Sequence, residues 1–172
     1  MVLSSVAEFL SPFGRLPAVE AALENLRRNR AATLAGLAPP AVALMVAEVA
    51  AGLRNPIVVV VETDSRGEEL AAPLRFFLRV LANLPASAVG NVPALDVVPG
   101  TGISPHPEIL ETRGVSLWRY ATEQTRVLIV PAAAARMRAR DAVFYSSLGL
   151  TLVRDEEVPL EDLVAHLRSV GY

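Results

Sequence analysis

Apolar positions follow two different periods along this chain, and the change from one to the other divides it. Over residues 4–29 the spacing is helical: Val19, Leu23 and Leu26 form one stripe, with Glu20 and Glu24 near Arg27 and Arg28. Two helical pieces are predicted there, interrupted at Ser11-Pro12-Phe13-Gly14. From residue 31 onward, short apolar runs alternate with longer helical stretches. Residues 32–37 read as a buried strand, followed past Pro39-Pro40 by a helix over 41–53 that ends before Asn55-Pro56. Ile57-Val58-Val59-Val60-Val61 is the clearest strand. Being apolar at every position, it predicts a central parallel strand covered on both faces. Thr63-Asp64-Ser65 offers capping oxygens to a helix over 67–81. A strand is predicted over 94–98, then a loop containing Pro99, Gly100 and Gly102. Ser104-Pro105-His106-Pro107 opens the next helix, with His106 in a helix-start role and Leu110, Leu117 and Ala121 on the apolar side. Residues 126–130 form another doubly apolar strand, stopped by Pro131 and followed by an alanine-rich helix over 132–138.

Strand and helix in alternation predict an α/β fold, a parallel sheet layered between helices. The C-terminal part reads differently: a strand over 149–153, a turn at Asp155-Glu156-Glu157 and a helix over 159–170. The chain then stops at Gly171-Tyr172, where a helix followed by glycine ordinarily leads into another element. The expected organisation is an N-terminal helical segment (1–30), the sheet domain (31–140) and the truncated beginning of a second small α/β domain (141–172).

Composition narrows the function classes. With 172 residues, 52% of them hydrophobic, and a net charge of −2, the chain has ample core material and no polybasic arm for nucleic acid. Cysteine is absent, which excludes thiolate chemistry and cysteine metal sites. Lysine is absent too, because all 16 basic residues are arginine. The uncharged stretch 31–47 contains Gly36 and Pro39-Pro40, and a helix broken there leaves backbone groups unpaired in lipid. Residues 1–10 carry Glu8 and no basic side chain, unlike a signal peptide, so a cytoplasmic protein with no membrane partner is expected.

Set against the P-loop spacing, Gly36-Leu37-Ala38-Pro39-Pro40-Ala41-Val42-Ala43 has the length and the strand–turn–helix context. Ala41 replaces the second glycine, Val42 the lysine and Ala43 the magnesium-binding hydroxyl, while Pro39 and Pro40 each remove an N–H. No nucleotide cofactor is expected on such a degenerate loop, and taken alone the match is an ordinary strand-to-helix turn. Other chemistry is sparse. His106 and His166 fall on separate helices, no spacing proposes a metal site, and no serine sits in a glycine elbow. Glu68-Glu69 and Glu156-Glu157 are adjacent and diverge into solvent. The clusters Arg27, Arg28, Arg30 and Arg136, Arg138, Arg140 suit helix ends, although the second, near Trp118 and Tyr120, also has the makings of a nucleic-acid grip. No catalytic residue is assigned.

Ser104-Pro105-His106-Pro107-Glu108-Ile109-Leu110-Glu111-Thr112-Arg113, then Leu117-Trp118, then Val127-Leu128-Ile129-Val130-Pro131, resembles the N-terminal module of bacterial transcription-repair coupling factors (the Mfd family). That module is similar to the damage-verifying excision-repair subunit UvrB. The likeness runs from about residue 17 to the end and is strongest over 104–138. It implies a RecA-like sheet over 31–140 of the UvrB domain 1a type, followed by the start of a UvrA-binding-type domain. UvrB keeps a working P-loop whereas coupling factors have lost theirs, so Gly36, Ala41, Val42 and Ala43 look like the coupling-factor version. One departure is Asp96-Val97-Val98-Pro99-Gly100, where many family members are rich in aromatics. The implied role is that of a non-catalytic scaffold in transcription-coupled nucleotide excision repair. RNA polymerase, UvrA and DNA are engaged through the parent protein, an ATP-dependent DNA translocase, and the module packs against other parent domains. The alternative is a nucleotide- or DNA-binding module of a UvrB-like repair protein.

Overall fold

A computed structural model describes residues 2–98 and 100–169. Pro99 of the predicted loop, and residues 170–172 at the predicted end, lie outside the described residues. Eight α-helices, three strands and a 3-10 turn (Ala86–Ala88) are described: α1 (Val2–Gly14), α2 (Pro17–Arg27), α3 (Pro39–Gly52), β1 (Ile57–Val61), α4 (Asp64–Ala82), β2 (Val89–Asn91), α5 (Pro107–Ala121), β3 (Val127–Pro131), α6 (Ala132–Ala135), α7 (Ala142–Ser146) and α8 (Leu160–Ser169).

The sheet is all parallel, in the order β1-β3-β2. Pleating sends alternate residues of β3 to opposite faces. Val127 and Ile129 pack with Leu70, Leu74 and Leu78 of α4 and with Ala43 and Ala47 of α3, while Leu128 and Val130 meet Leu117 and Tyr120 of α5. Helices therefore lie on both faces, as the alternation predicts. A further layer forms outside α3, where Val19, Ala22 and Leu23 of α2 pack against Met45. Sandwiched between α2 and the sheet, α3 is apolar almost all round, as its sequence is.

Four strand expectations are corrected. Residues 32–37 form no strand; Leu34 and Leu37 pack on the α2–α3 cluster instead. β1 is an edge strand, not a central one, with Val58 51% and Val60 59% exposed, whereas β3 is the strand buried throughout. Residues 94–98 pair with nothing in the sheet, and the third strand is Val89–Asn91. Gly90 fits there because a Cβ would stand 3.0 Å from Leu128 Cδ1. Residues 149–153 are likewise not a strand.

Helix boundaries also shift. α1 runs through Pro12 to Gly14. Ser11 Oγ donates to the Glu8 carbonyl at 2.9 Å, and that carbonyl is the one the missing Pro12 N–H would have served. The alanine-rich helix stops at Ala135 instead of reaching 138. Leu110, expected on the apolar side of α5, is 47% exposed, and Ser116 is the buried residue of that helix.

Candidate functional site

In parallel α/β sheets, ligands gather at the carboxyl ends of the strands. Here that end of β1 faces the starts of α3 and α4 across a cavity of about 200 Å³. Pro39 and Val42 of α3, Val60 and Val61 of β1, then Glu62, Arg66, Glu69 and Leu70 line it. The volume falls below the roughly 300–1,000 Å³ of pockets that enclose small-molecule ligands.

Its electrostatics are unlike those of a phosphate site. Among the first three residues of α3, only Ala41 carries an N–H, and the Val42 N–H already donates to the Ala38 carbonyl at 3.0 Å. The helix has no side-chain cap at Ala38. Gly36 lies in the preceding loop at φ +75°, with no described residue beyond its chain neighbours within 4 Å of where a Cβ would be, so the glycine serves the turn and not a close approach. Val42 lines the cavity, while Ala43 is buried in the core. The cation at hand, Arg66, pairs with Glu69 at 2.5 Å, and the Glu62 carboxylate lies at the same cavity. α4 is capped by Thr63 Oγ1, which accepts from the Arg66 N–H at 3.3 Å.

None of Ser104, Pro105, His106, Pro107 or Arg113 lines this cavity. His106, Pro107 and Arg113 fix the junction between the segment after β2 and α5. His106 caps α5, its Nδ1 accepting from the Glu108 N–H at 3.3 Å, and Pro107 occupies the first helical position. The His106 N–H donates to the Asp96 carboxylate at 3.2 Å. Arg113 donates to the Pro93 carbonyl, and the Ala94 N–H donates to Asp64 Oδ1 at 2.9 Å. Within 94–98, the Ala94 N–H is thereby satisfied by a side chain and not by a strand partner. Burial pushes the Arg113 guanidinium below its ordinary pKa, with Tyr145 and Asp64 nearby acting the other way.

Asp64 was expected only as a capping residue and Asp96 only as a departure from the family pattern; the structure gives both, together with Arg126, organising roles that sequence reasoning did not single out. A signal existed for Asp96, since an acid inside a predicted buried strand argues against the strand. Arg126 gave no signal; its guanidinium donates to the carbonyls of Ala50, Leu53, Arg54 and Asn55 at the end of α3.

The remaining candidates separate. His106 starts α5, whereas His166 on α8 lies 3.3 Å from the Leu148 carbonyl through Nε2. Among the described residues, no group of three His, Asp or Glu side chains is arranged for a metal. In the second arginine cluster, Arg140 stacks on Phe144, 4.6 Å from the ring centroid, and not on Trp118 or Tyr120. Arg28 of the first cluster pairs with Glu24 at 2.6 Å. No helix among the described residues is long and apolar enough to cross a membrane.

Fold and site together define an α/β protein with a small three-stranded parallel sheet and a narrow, acid-flanked cleft at its carboxyl edge. Comparison with protein-family models, curated proteins and solved structures gives no significant match.

Proposed function

We propose that this chain is a non-catalytic interaction module of a bacterial transcription-repair coupling factor, with a RecA-like ancestry of the UvrB domain 1a type. The observation that carries the reading is the start of α3. A nucleotide's phosphates would meet two prolines, one free N–H and the nearby Glu62 carboxylate, with Val42 in place of a lysine. The block that carries the resemblance supports it further, because α5 and β3 are spatial neighbours through Leu117 and Leu128.

In this reading the parent removes stalled RNA polymerase and recruits UvrA, using a motor encoded elsewhere in its sequence. This part holds other domains in place. Calorimetric titration of the purified chain with Mg-ATP is expected to give no stoichiometric heat. Uptake of one equivalent overturns the reading in favour of a nucleotide-binding, UvrB-like module. The coding sequence downstream of residue 172 tests the parent assignment: helicase motifs are expected, and a stop codon there would remove it.

A further inference from the structure

The outer edge of β1 is open, and its backbone polarity can be read directly. The Ile57 N–H donates to the Arg126 carbonyl at 3.0 Å, so residues 57, 59 and 61 turn their backbone groups toward β3. The N–H and C=O groups of Val58 and Val60 therefore point away from the sheet. The same two residues carry the exposed side chains, because the helices opposite α3 and α4 cluster over β3 and the segment after β2. Edge strands are ordinarily guarded by charge, proline or a bulge, and Ile57–Val61 contains no charge and no proline.

We propose that this edge pairs with the β1 edge of a second copy of this chain, antiparallel about a two-fold axis at Val59, to form one continuous six-stranded sheet. The register follows from the backbone. With Val59 on the axis, Val58 of each copy opposes Val60 of the other, and each such pair exchanges two N–H···O bonds. The Glu62 N–H then meets the Pro56 carbonyl of the second copy. A slip of two residues in one direction sets Pro56, which has no N–H, opposite Val60 and loses a bond there. Four valines meet on the uncovered face. Charge at the strand ends favours a second copy over other occupants: β1 is preceded by Arg54 and followed by Glu62 and Asp64, so antiparallel self-pairing brings each basic end to an acidic one. Parallel pairing would set Arg54 beside Arg54. Among the described residues, neither Arg54 nor Glu62 forms an ion pair within the chain.

This inference stands apart from the coupling-factor reading and is tested on the whole chain. Sedimentation equilibrium across the micromolar range should show the mass rising from 18.3 kDa toward twice that value. Val60→Lys should hold the monomer mass with an unchanged circular dichroism spectrum. Arg54→Glu and Glu62→Arg should each weaken dimerisation about tenfold, and the double swap should restore it. Hydrogen exchange at Val58, Val60 and Glu62, but not at Val59, should slow as dimer forms. A chain that stays monomeric throughout overturns the proposal and leaves the edge to a strand of another polypeptide. A dimer indifferent to Val60→Lys, or a double swap that fails to rescue, overturns it as well.

Discussion

Arg126 supplies what α3 lacks in its own sequence. The last turn of that helix has no basic residue, and its end carbonyls are served by a guanidinium at the entry to β3, as many as 76 residues away in the chain. Hydrogen bonds to a charged donor contribute more than neutral ones, so Arg126→Ala should lower stability by about 2–3 kcal/mol in urea unfolding. Its neighbour Thr125 has the opposite character. Only 2% exposed, its Oγ1 has no hydrogen-bond partner among the described residues. Thr125→Val removes that unmet group and should raise stability by about 1 kcal/mol in the same assay. Neither role was legible in the sequence, because each depends on a neighbour brought close only by the fold. His106 was legible, since a helix cap needs only residues two or three positions on.

Contacts between elements carry two further consequences. Glu48 of α3 lies against the end of α1, where a Cβ at Gly14 would stand 3.1 Å from its Oε1. Burial raises the Glu48 pKa above its ordinary 4.5. The folded state then binds the proton more tightly than the unfolded one, so stability falls as pH rises from 4.5 through the folded value. Glu48→Gln should melt higher than the wild type above that window, with the difference vanishing in acid. Thermal melts at a series of pH values check this, and equal melting points throughout would count against the burial. On the other side of the molecule, the segment after α7 crosses α5 so closely that a Cβ on Gly149 would stand 2.3 Å from Trp118 Nε1. Gly149→Ala must displace one or the other. Because Trp118 is the sole tryptophan, its emission should shift to the red in the variant while the far-ultraviolet spectrum holds. The helices themselves were largely readable from periodicity and prolines. The continuation of α1 through Pro12 was not, because it rests on a single serine hydroxyl.

Across the whole molecule, order is unevenly supported. The sheet and α3–α5 share buried clusters, whereas residues 150–160 are exposed at every position ahead of α8. Brief trypsin treatment should therefore cut first after Arg154 and leave a fragment that retains the sheet; early cuts after Arg75 or Arg126 would contradict this ranking. By itself the sequence determined most of the helices, though not α7, the two apolar strands at 57–61 and 127–131, their parallel alternation with helices, and the lack of lysine and hydroxyl side chains at 41–43. These follow from period, capping and residue type, which are properties of neighbours along the chain. Only the tertiary structure decided the order of the strands. Ile57–Val61 and Val127–Pro131 are almost equally apolar, and nothing local ranks them. β3 is inserted between the two earlier strands and becomes the buried one, while β1 is left at the edge with two valines in water. Hydrophobicity sets how much surface seeks cover; which strand receives it depends on long-range pairing.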